Sequence, residues 1–248
     1  MNGTFVADLF SGCGGVSKAV RVLGFDGREW EIALGPDGDI CNRKVRRKLL
    51  HAIRSGRVIA IMAAPPCGTF SSARDRSGAV RSRSFPWGLP DLPQHDAAKV
   101  GDGNRCLKGL LSVIWCAHSR GLPWLWENPH SSKMWYVPEV AKLAAHNRVE
   151  TCVLDQCMFG ARWKKRTRFL AGNLNADDLC RLNCLCQGGK VCERTGEPHI
   201  VLSGSAPGGT PWTRIAQSYP PRLYRVCARL LTEGARMQYV NESFRFAM

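Results

Sequence analysis

Apolar positions along the chain fall into short runs separated by glycine, proline and polar clusters. Phe5-Val6-Ala7 is a continuous apolar run that stops at Asp8 and leads into Ser11-Gly12-Cys13-Gly14-Gly15. Val16, Val20 and Leu23 then recur at helical spacing, so the segment predicts strand, glycine turn, helix. Residues 25–34 alternate apolar and acidic positions and predict a second strand. Val45, Leu49, Leu50 and Ile53 share one side of a helix over 45–54. The stretch 58–63 is apolar throughout, as a strand covered on both faces must be, and Pro65-Pro66 ends it. A long polar loop is expected over 71–104, a helix over 107–118, and a strand over 122–127 closed by Asn128-Pro129. A helix over 138–146 and strands over 148–154 and 167–170 follow. Such alternation predicts an α/β fold with a parallel sheet covered by helices on both faces. It stops at 171, where Cys, Gly and Pro dominate, and a helix returns over 212–231 around Tyr219-Pro220-Pro221. Residues 232–248 carry no clear signal. The expected organisation is a main domain over 1–170, a Cys-rich segment over 171–211, and a returning helix over 212–248.

Charge narrows the partner. The chain of 248 residues carries 35 Lys+Arg against 20 Asp+Glu, a net charge of +15. Five of the seven residues at 42–48 are basic, as are five of seven at 162–168, and Arg74, Arg76, Arg81 and Arg83 lie in the expected loop. A solubilising surface is the bland explanation; clustering of this kind favours a polyanion, most often nucleic acid. A 44% apolar share argues against whole-chain disorder. The apolar run at 58–64 is too short to span a bilayer, and residues 1–4 show no leader pattern. The expectation is an intracellular protein without a membrane partner, located where DNA is, the nucleus in a eukaryotic host.

Twelve cysteines without a secretory pattern suit a reduced compartment. Most are scattered, but Cys180, Cys184, Cys186 and Cys192 cluster ahead of His199. Thiolates and an imidazole on a glycine-rich segment suit tetrahedral zinc, against the plain alternative of loop thiols. Cys180, Cys192 and His199 lead as ligands, with Cys184 and Cys186 competing for the fourth place.

Three further constellations sit at strand ends, where open α/β sheets bind ligands. The turn after the first strand lets backbone approach a ligand beside a helix N-terminus, although an ordinary tight turn has the same glycines. Pro65-Pro66-Cys67-Gly68 holds a cysteine beyond a buried strand, a candidate nucleophile or else a structural thiol. Glu127, beside Trp124 and Trp126, is a carboxyl group placed to hold a raised pKa and donate a proton, or else a surface acid.

In order and content these pieces resemble the cytosine-C5 DNA methyltransferase family. Asp8-Leu9-Phe10-Ser11-Gly12-Cys13-Gly14-Gly15 is similar to its first motif, and Pro65-Pro66-Cys67 with Phe70-Ser71 to its nucleophile motif. Glu127-Asn128 resembles Glu-Asn-Val with Pro129 in the last place, and Lys164-x-Arg166-x-Arg168 resembles Gln-x-Arg-x-Arg with Lys164 for Gln. Glu29-Trp30 and Gly38-Asp39-Ile40 resemble two shorter elements of the cofactor pocket. The matches span 8–168, about two thirds of the chain.

The resemblance implies a Rossmann-like sheet that binds S-adenosylmethionine and methylates C5 of a cytosine flipped out of double-stranded DNA. Cys67 would add to C6, Glu127 would protonate N3, and Arg166 and Arg168 would neutralise charge around O2. Asp8, Phe10, Ser11, Gly12, Cys13, Gly14, Gly15 and Pro65 would line the cofactor site. Glu29 would accept from the ribose, with Glu31 as its rival; Trp30 would stack on adenine, and Asp39 would accept from its amine. The arginine-bearing loop would close over the DNA. The family's glycine-asparagine element is missing, and Tyr219-Pro220-Pro221 occupies its place. Few residues follow Arg168, so a minimal member with a short target of two or three base pairs is expected. RNA stays open as substrate in a tRNA-methylating branch, and a silent nucleic-acid-binding relative is a third reading.

Overall fold

A computed structural model describes residues 3–246, with side chains described as far as residue 238. Six strands form one sheet: β1 (Phe5–Leu9), β2 (Gly27–Trp30), β3 (Val58–Ala63), β4 (Trp124–Pro129), β5 (Val149–Asp155) and β6 (Arg166–Gly172), in the order β2-β1-β3-β4-β6-β5. The helices are α1 (Gly15–Val22), α2 (Arg43–Arg54), α3 (Gln94–Ser119), α4 (Pro138–Ala144), the short α5 (Ala176–Leu179) and α6 (Trp212–Ile215), and α7 (Pro221–Phe246).

The sheet is not wholly parallel as expected. β6 runs antiparallel to both β4 and β5. Only residues 156–165 join β5 to β6, and a parallel crossover needs about a dozen residues or more. The chain therefore folds straight back and slots β6 between its neighbours.

Strand alternation sorts the core into two layers. Ala7, Leu9, Ile61, Ala63, Trp124, Trp126 and Leu170 face α2, α3 and α4. Val6, Ala60, Met62, Leu125, Phe169 and Ala171 face α1 and α7, where Val16 and Val20 meet Leu223, Cys227 and Leu231. Leu223, Cys227, Leu230 and Leu231 follow one helical face, which is why α7 lies down on the sheet. Burial of each large apolar side chain stabilises by about 1.5–3 kcal/mol.

Other expectations shift. The second strand ends at Trp30, and short 3₁₀ turns at Ile32–Leu34 and Pro36–Gly38 replace the rest. The helix expected over 212–231 breaks between α6 and α7, where Pro220 and Pro221 offer no amide hydrogen. α7 then continues through residues that had carried no clear signal.

The largest change concerns 71–104. A 3₁₀ turn forms at Ser72–Ser77, and α3 starts at Gln94, well ahead of its apolar stretch. Arg81 organises this region from inside. It is 1% exposed, donates to Thr69 Oγ1, Asn104 Oδ1, Pro86 O and Val100 O, and lies over the Phe70 ring at 3.7 Å. Arg74 pairs with Asp96 at 2.8 Å. Two of the four arginines assigned to a DNA-covering loop are thus committed to structure, while Arg76 and Arg83 are exposed.

Candidate active site

Cys67 stands just beyond β3, and its loop is held from three sides. Ala64 N donates to Leu9 O at 3.1 Å, Asn128 Nδ2 donates to Pro65 O at 2.9 Å, and Phe70 N and Ser71 N donate to Cys67 O at 2.9 and 2.7 Å. Asn128 is fully buried at the end of β4, so the Glu-Asn strand end clamps the Pro-Pro-Cys loop directly. Burial pushes the Cys67 thiol above its ordinary value; the nearby Lys165 cation opposes this, and the Glu127 carboxylate adds to it.

Glu127 is 5% exposed, and its Oε1 has no hydrogen-bond partner. Desolvation raises its pKa, opposed first by Lys165 and then by the neighbouring Tyr219 hydroxyl. The buried Tyr219 hydroxyl also lacks a well-formed hydrogen bond. The Glu127 carboxyl and the Tyr219 hydroxyl thus neighbour one another in a buried polar site beside the partly buried Cys67 thiol.

The cation expected here is not the one the structure supplies. β6 pairs Phe169 with Glu127 and Arg168 with Asn128. Thr167 and Phe169 therefore share the Glu127 face, while Arg166 and Arg168 project from the opposite one. Arg166 makes a two-point ion pair with the fully buried Asp155, Nε to Oδ1 and Nη2 to Oδ2, each at 3.0 Å. Arg168 lies over Trp135 at 5.3 Å. The structure does not bring either arginine to the carboxyl of Glu127. Lys165, one residue earlier, acts on both Cys67 and Glu127, with its Nζ anchored to Ala216 O at 3.0 Å. Register was the missing signal: the motif resemblance pointed to Arg166 and Arg168, and only the pairing of β6 shows which residues face Glu127.

The glycine turn lies beside this site, since Ala64 N of the Cys67 loop donates to Leu9 O at the end of β1. Phe10, Gly12 and Gly14 all have positive φ, 56°, 56° and 66°, which turns the chain sharply out of β1. Asp8 is buried and accepts from Ser17 N and Ser17 Oγ at 3.0 Å, so its carboxyl group ties β1 to α1. Burial raises its pKa to about 7. Glu29 pairs with Arg21 at 2.9 Å and packs beneath Gly14. Glu31 instead accepts from Gly12 N at 3.0 Å, which places the rival acid across the turn. Trp30 stacks on Phe5 with ring centroids 5.8 Å apart. Gly38 packs on the Glu31 backbone, where a Cβ would come within 2.1 Å of Glu31 O, and Asp39 accepts from Cys41 N at 2.8 Å.

Tyr224 of α7 packs against this turn. Its ring covers Gly15, and its hydroxyl lies 2.9 Å from Cys13 Sγ and 3.1 Å from Tyr219 N. The segment starting at Tyr219 thus reaches both places, Tyr219 against Glu127 and Tyr224 against the glycine turn. Ser11 Oγ, by contrast, is buried without a partner.

The cysteine cluster needs correcting. Cys192 and His199 come together as expected and Cys186 takes the contested place, but Cys157, from the turn after β5, stands where Cys180 was expected. Cys180 is exposed, and Cys184 lies with Met158, Phe159 and Arg222 along a separate groove. Cys184 O accepts from Asp155 N at 2.9 Å and Cys186 N donates to Asp155 Oδ2 at 3.0 Å, which turns the Cys186 thiol inward. Cys157 was unreadable as a ligand because it lies far from the others in sequence.

No protein-family model matches the chain, and no curated protein matches it. Among solved structures, a mutant of DNMT2 from Spodoptera frugiperda aligns at 17% identity and a TM-score of 0.40, over 68% of this chain and 50% of that one. The Entamoeba histolytica methyltransferase EhMeth aligns at 13% identity and 0.40, over 84% and 64%. The Dnmt2 methyltransferase of S. pombe aligns at 14% identity and 0.40, over 79% and 57%. The chain therefore spans between half and two thirds of the length of these structures.

Proposed function

We propose that the chain transfers a methyl group from S-adenosylmethionine to C5 of cytosine in DNA. The observation that carries this reading is the joining of Cys67 to the Glu127 strand end through the Asn128–Pro65 hydrogen bond, with Lys165 acting on both reactive groups.

The glycine turn fits the cofactor: open space lies in front of Gly12, the buried Ser11 Oγ lacks a partner, and Glu31 stands across the turn. Ser11, Gly12 and Glu31 would hold it, beside Tyr224 packed on Gly15. Bound there, S-adenosylmethionine supplies an electrophilic methyl group. The chain's own residues activate the base. Cytosine C5 is a poor nucleophile until a thiolate adds at C6. Cys67 Sγ forms that bond while the ring electrons move towards C5 and Glu127 delivers its proton to N3. Burial keeps the Glu127 proton available, and the Lys165 charge favours the Cys67 thiolate. After transfer the C5 proton departs to a base, the C5–C6 double bond re-forms, Cys67 leaves as thiolate and the N3 proton returns to Glu127.

Phosphate contacts fit the basic surface. A cleft of about 460 Å³ between α2 and α3 is lined by Arg43, Arg46, Arg47, Arg105 and Lys108 and has no acidic residue in its wall. Such contacts position a duplex without reading its sequence.

The test is transfer of labelled methyl from S-adenosylmethionine to DNA and, in parallel, to RNA. Label at C5 of cytosine in DNA, lost in Cys67→Ala, supports the reading. Label only in RNA moves the substrate to RNA, and label in neither overturns the enzyme.

A further inference from the structure

We propose that Cys157, Cys186, Cys192 and His199 hold a structural zinc ion that staples the Cys-rich segment to the end of β5. The inference stands on these four residues and does not depend on the methyl-transfer reading.

Three separate pieces of chain deliver the ligands. Cys157 comes from the 3₁₀ turn Gln156–Phe159 that follows β5 directly. Cys186 comes from the irregular stretch whose backbone is bonded to Asp155. Cys192 and His199 come from a small hairpin: Cys192 N donates to Glu197 O at 2.8 Å, Gly196 N to Cys192 O at 2.8 Å, and His199 N to Lys190 O at 2.7 Å. The four donor atoms lie within 4.8 Å of one another. Zinc–sulfur bonds of about 2.3 Å put tetrahedral sulfurs about 3.8 Å apart, so a contraction of about 1 Å at most closes the site.

Chemistry of the surroundings favours a metal over packing. The three cysteines are each no more than 3% exposed, yet their only apolar partner among the described residues is the partly buried Met158. Three thiols facing one another gain little from the hydrophobic effect. His199 is already oriented: Nδ1 lies 3.0 Å from Gly189 O, so the neutral ring donates there and leaves the Nε2 lone pair for the metal. That Nε2 is 3.9 Å from Cys186 Sγ. Three thiolates and one zinc ion sum to a single negative charge, and Arg194, bonded to Cys157 O at 2.8 Å, lies beside it.

The segment needs such a staple. Between α5 and α6 the described structure offers one short 3₁₀ turn and two isolated bridges, Val191 with Pro198 and Ser205 with Pro211. A stretch with so little regular structure gains most of its order from a cross-link. Four ligands from the chain close the coordination sphere, the form expected of a structural site. Through the Cys186 amide the cluster also reaches Asp155, and through Asp155 it reaches Arg166.

Protein purified without added metal should contain about one zinc per chain by elemental analysis. Cys157→Ser should retain less than about a tenth of it, whereas Cys180→Ser and Cys184→Ser should retain it all. Replacing zinc with cobalt should give the visible bands of a tetrahedral thiolate site. If Cys157→Ser does not fold, alkylation of the wild-type chain serves instead. Cys157, Cys186 and Cys192 should react only after chelation, while the exposed Cys180 reacts before and after. Folded protein free of zinc, or zinc kept by Cys157→Ser and lost by Cys180→Ser, would overturn the site.

Discussion

Asn128 reaches across from the end of β4 to the Pro65 carbonyl at 2.9 Å, and this single hydrogen bond ties the strand end that carries Glu127 to the loop that carries Cys67. Both groups are buried, so cutting the bond leaves the Pro65 carbonyl unsatisfied. Asn128→Ala should cost about 1–3 kcal/mol of stability by denaturant titration. Methyl transfer should fall further than stability explains, because the thiol would no longer be held against the carboxyl. An unchanged rate in a folded variant would show that the clamp does not position Cys67.

Lys165 lowers the pKa of both Cys67 and Glu127. Lys165→Gln should therefore move the rising limb of the pH–rate profile to more alkaline pH. At a pH below the thiol pKa, each further rise of one in that pKa lowers the thiolate fraction about tenfold. Arg168→Gln, on the opposite face of β6, should leave that limb in place. A profile unmoved in Lys165→Gln and moved in Arg168→Gln would return the role to the arginine.

Asp8 carries a pH dependence of stability. Its folded pKa, about 7, lies above the ordinary 3.8 because burial disfavours the charge. The folded chain thus holds a proton that the unfolded chain releases between those values, so stability falls as pH rises from about 4 to 7. A shift of that size corresponds to about 4 kcal/mol, an order-of-magnitude figure. Asp8→Asn should flatten this slope, measured as denaturation midpoints from pH 4 to 8. A slope identical to wild type would mean that other groups set it.

Both acids lie against the glycine turn, but Glu31 accepts from Gly12 N whereas Glu29, beneath Gly14, is already engaged by Arg21. Calorimetry should show Glu31→Ala weakening S-adenosylmethionine by about 1–3 kcal/mol, with Glu29→Ala much closer to wild type. The reverse order would restore the acid suggested by the Glu29-Trp30 pair.

Gly15 lies directly under the Tyr224 ring, where an added Cβ would come within 2.2 Å of Tyr224 Cζ. Gly15→Ala should push α7 off the turn, costing about 1–3 kcal/mol by overpacking. Combining it with Tyr224→Ala should recover part of the loss. No recovery in the double variant would place the strain elsewhere.

Much of this was legible before any tertiary structure. The run at 58–63 is apolar at every position, so it had to be a strand covered on both faces, and Val58–Ala63 is β3. Pro65-Pro66 placed Cys67 beyond its strand, since β3 stops at Ala63, whereas Asn128-Pro129 did not close β4, which runs through both residues in register with β6. Local pattern could not choose among neighbours in space. Arg166 and Lys165 are adjacent in sequence, and only the antiparallel register of β6 sends one to Asp155 and leaves the other on the Glu127 side. The polar residues 94–104 lack helical apolar spacing, and they join α3 over the buried Arg81, whose bonds come from distant segments. Cys157 lies 29 residues from Cys186 in sequence, yet they share a cluster because β6 folds back between them. Sequence alone determined where strands lie and which faces are apolar, because those depend on nearest neighbours along the chain. Which charges and thiols meet was decided by strand order and register, which are long-range and follow from packing of the whole sheet.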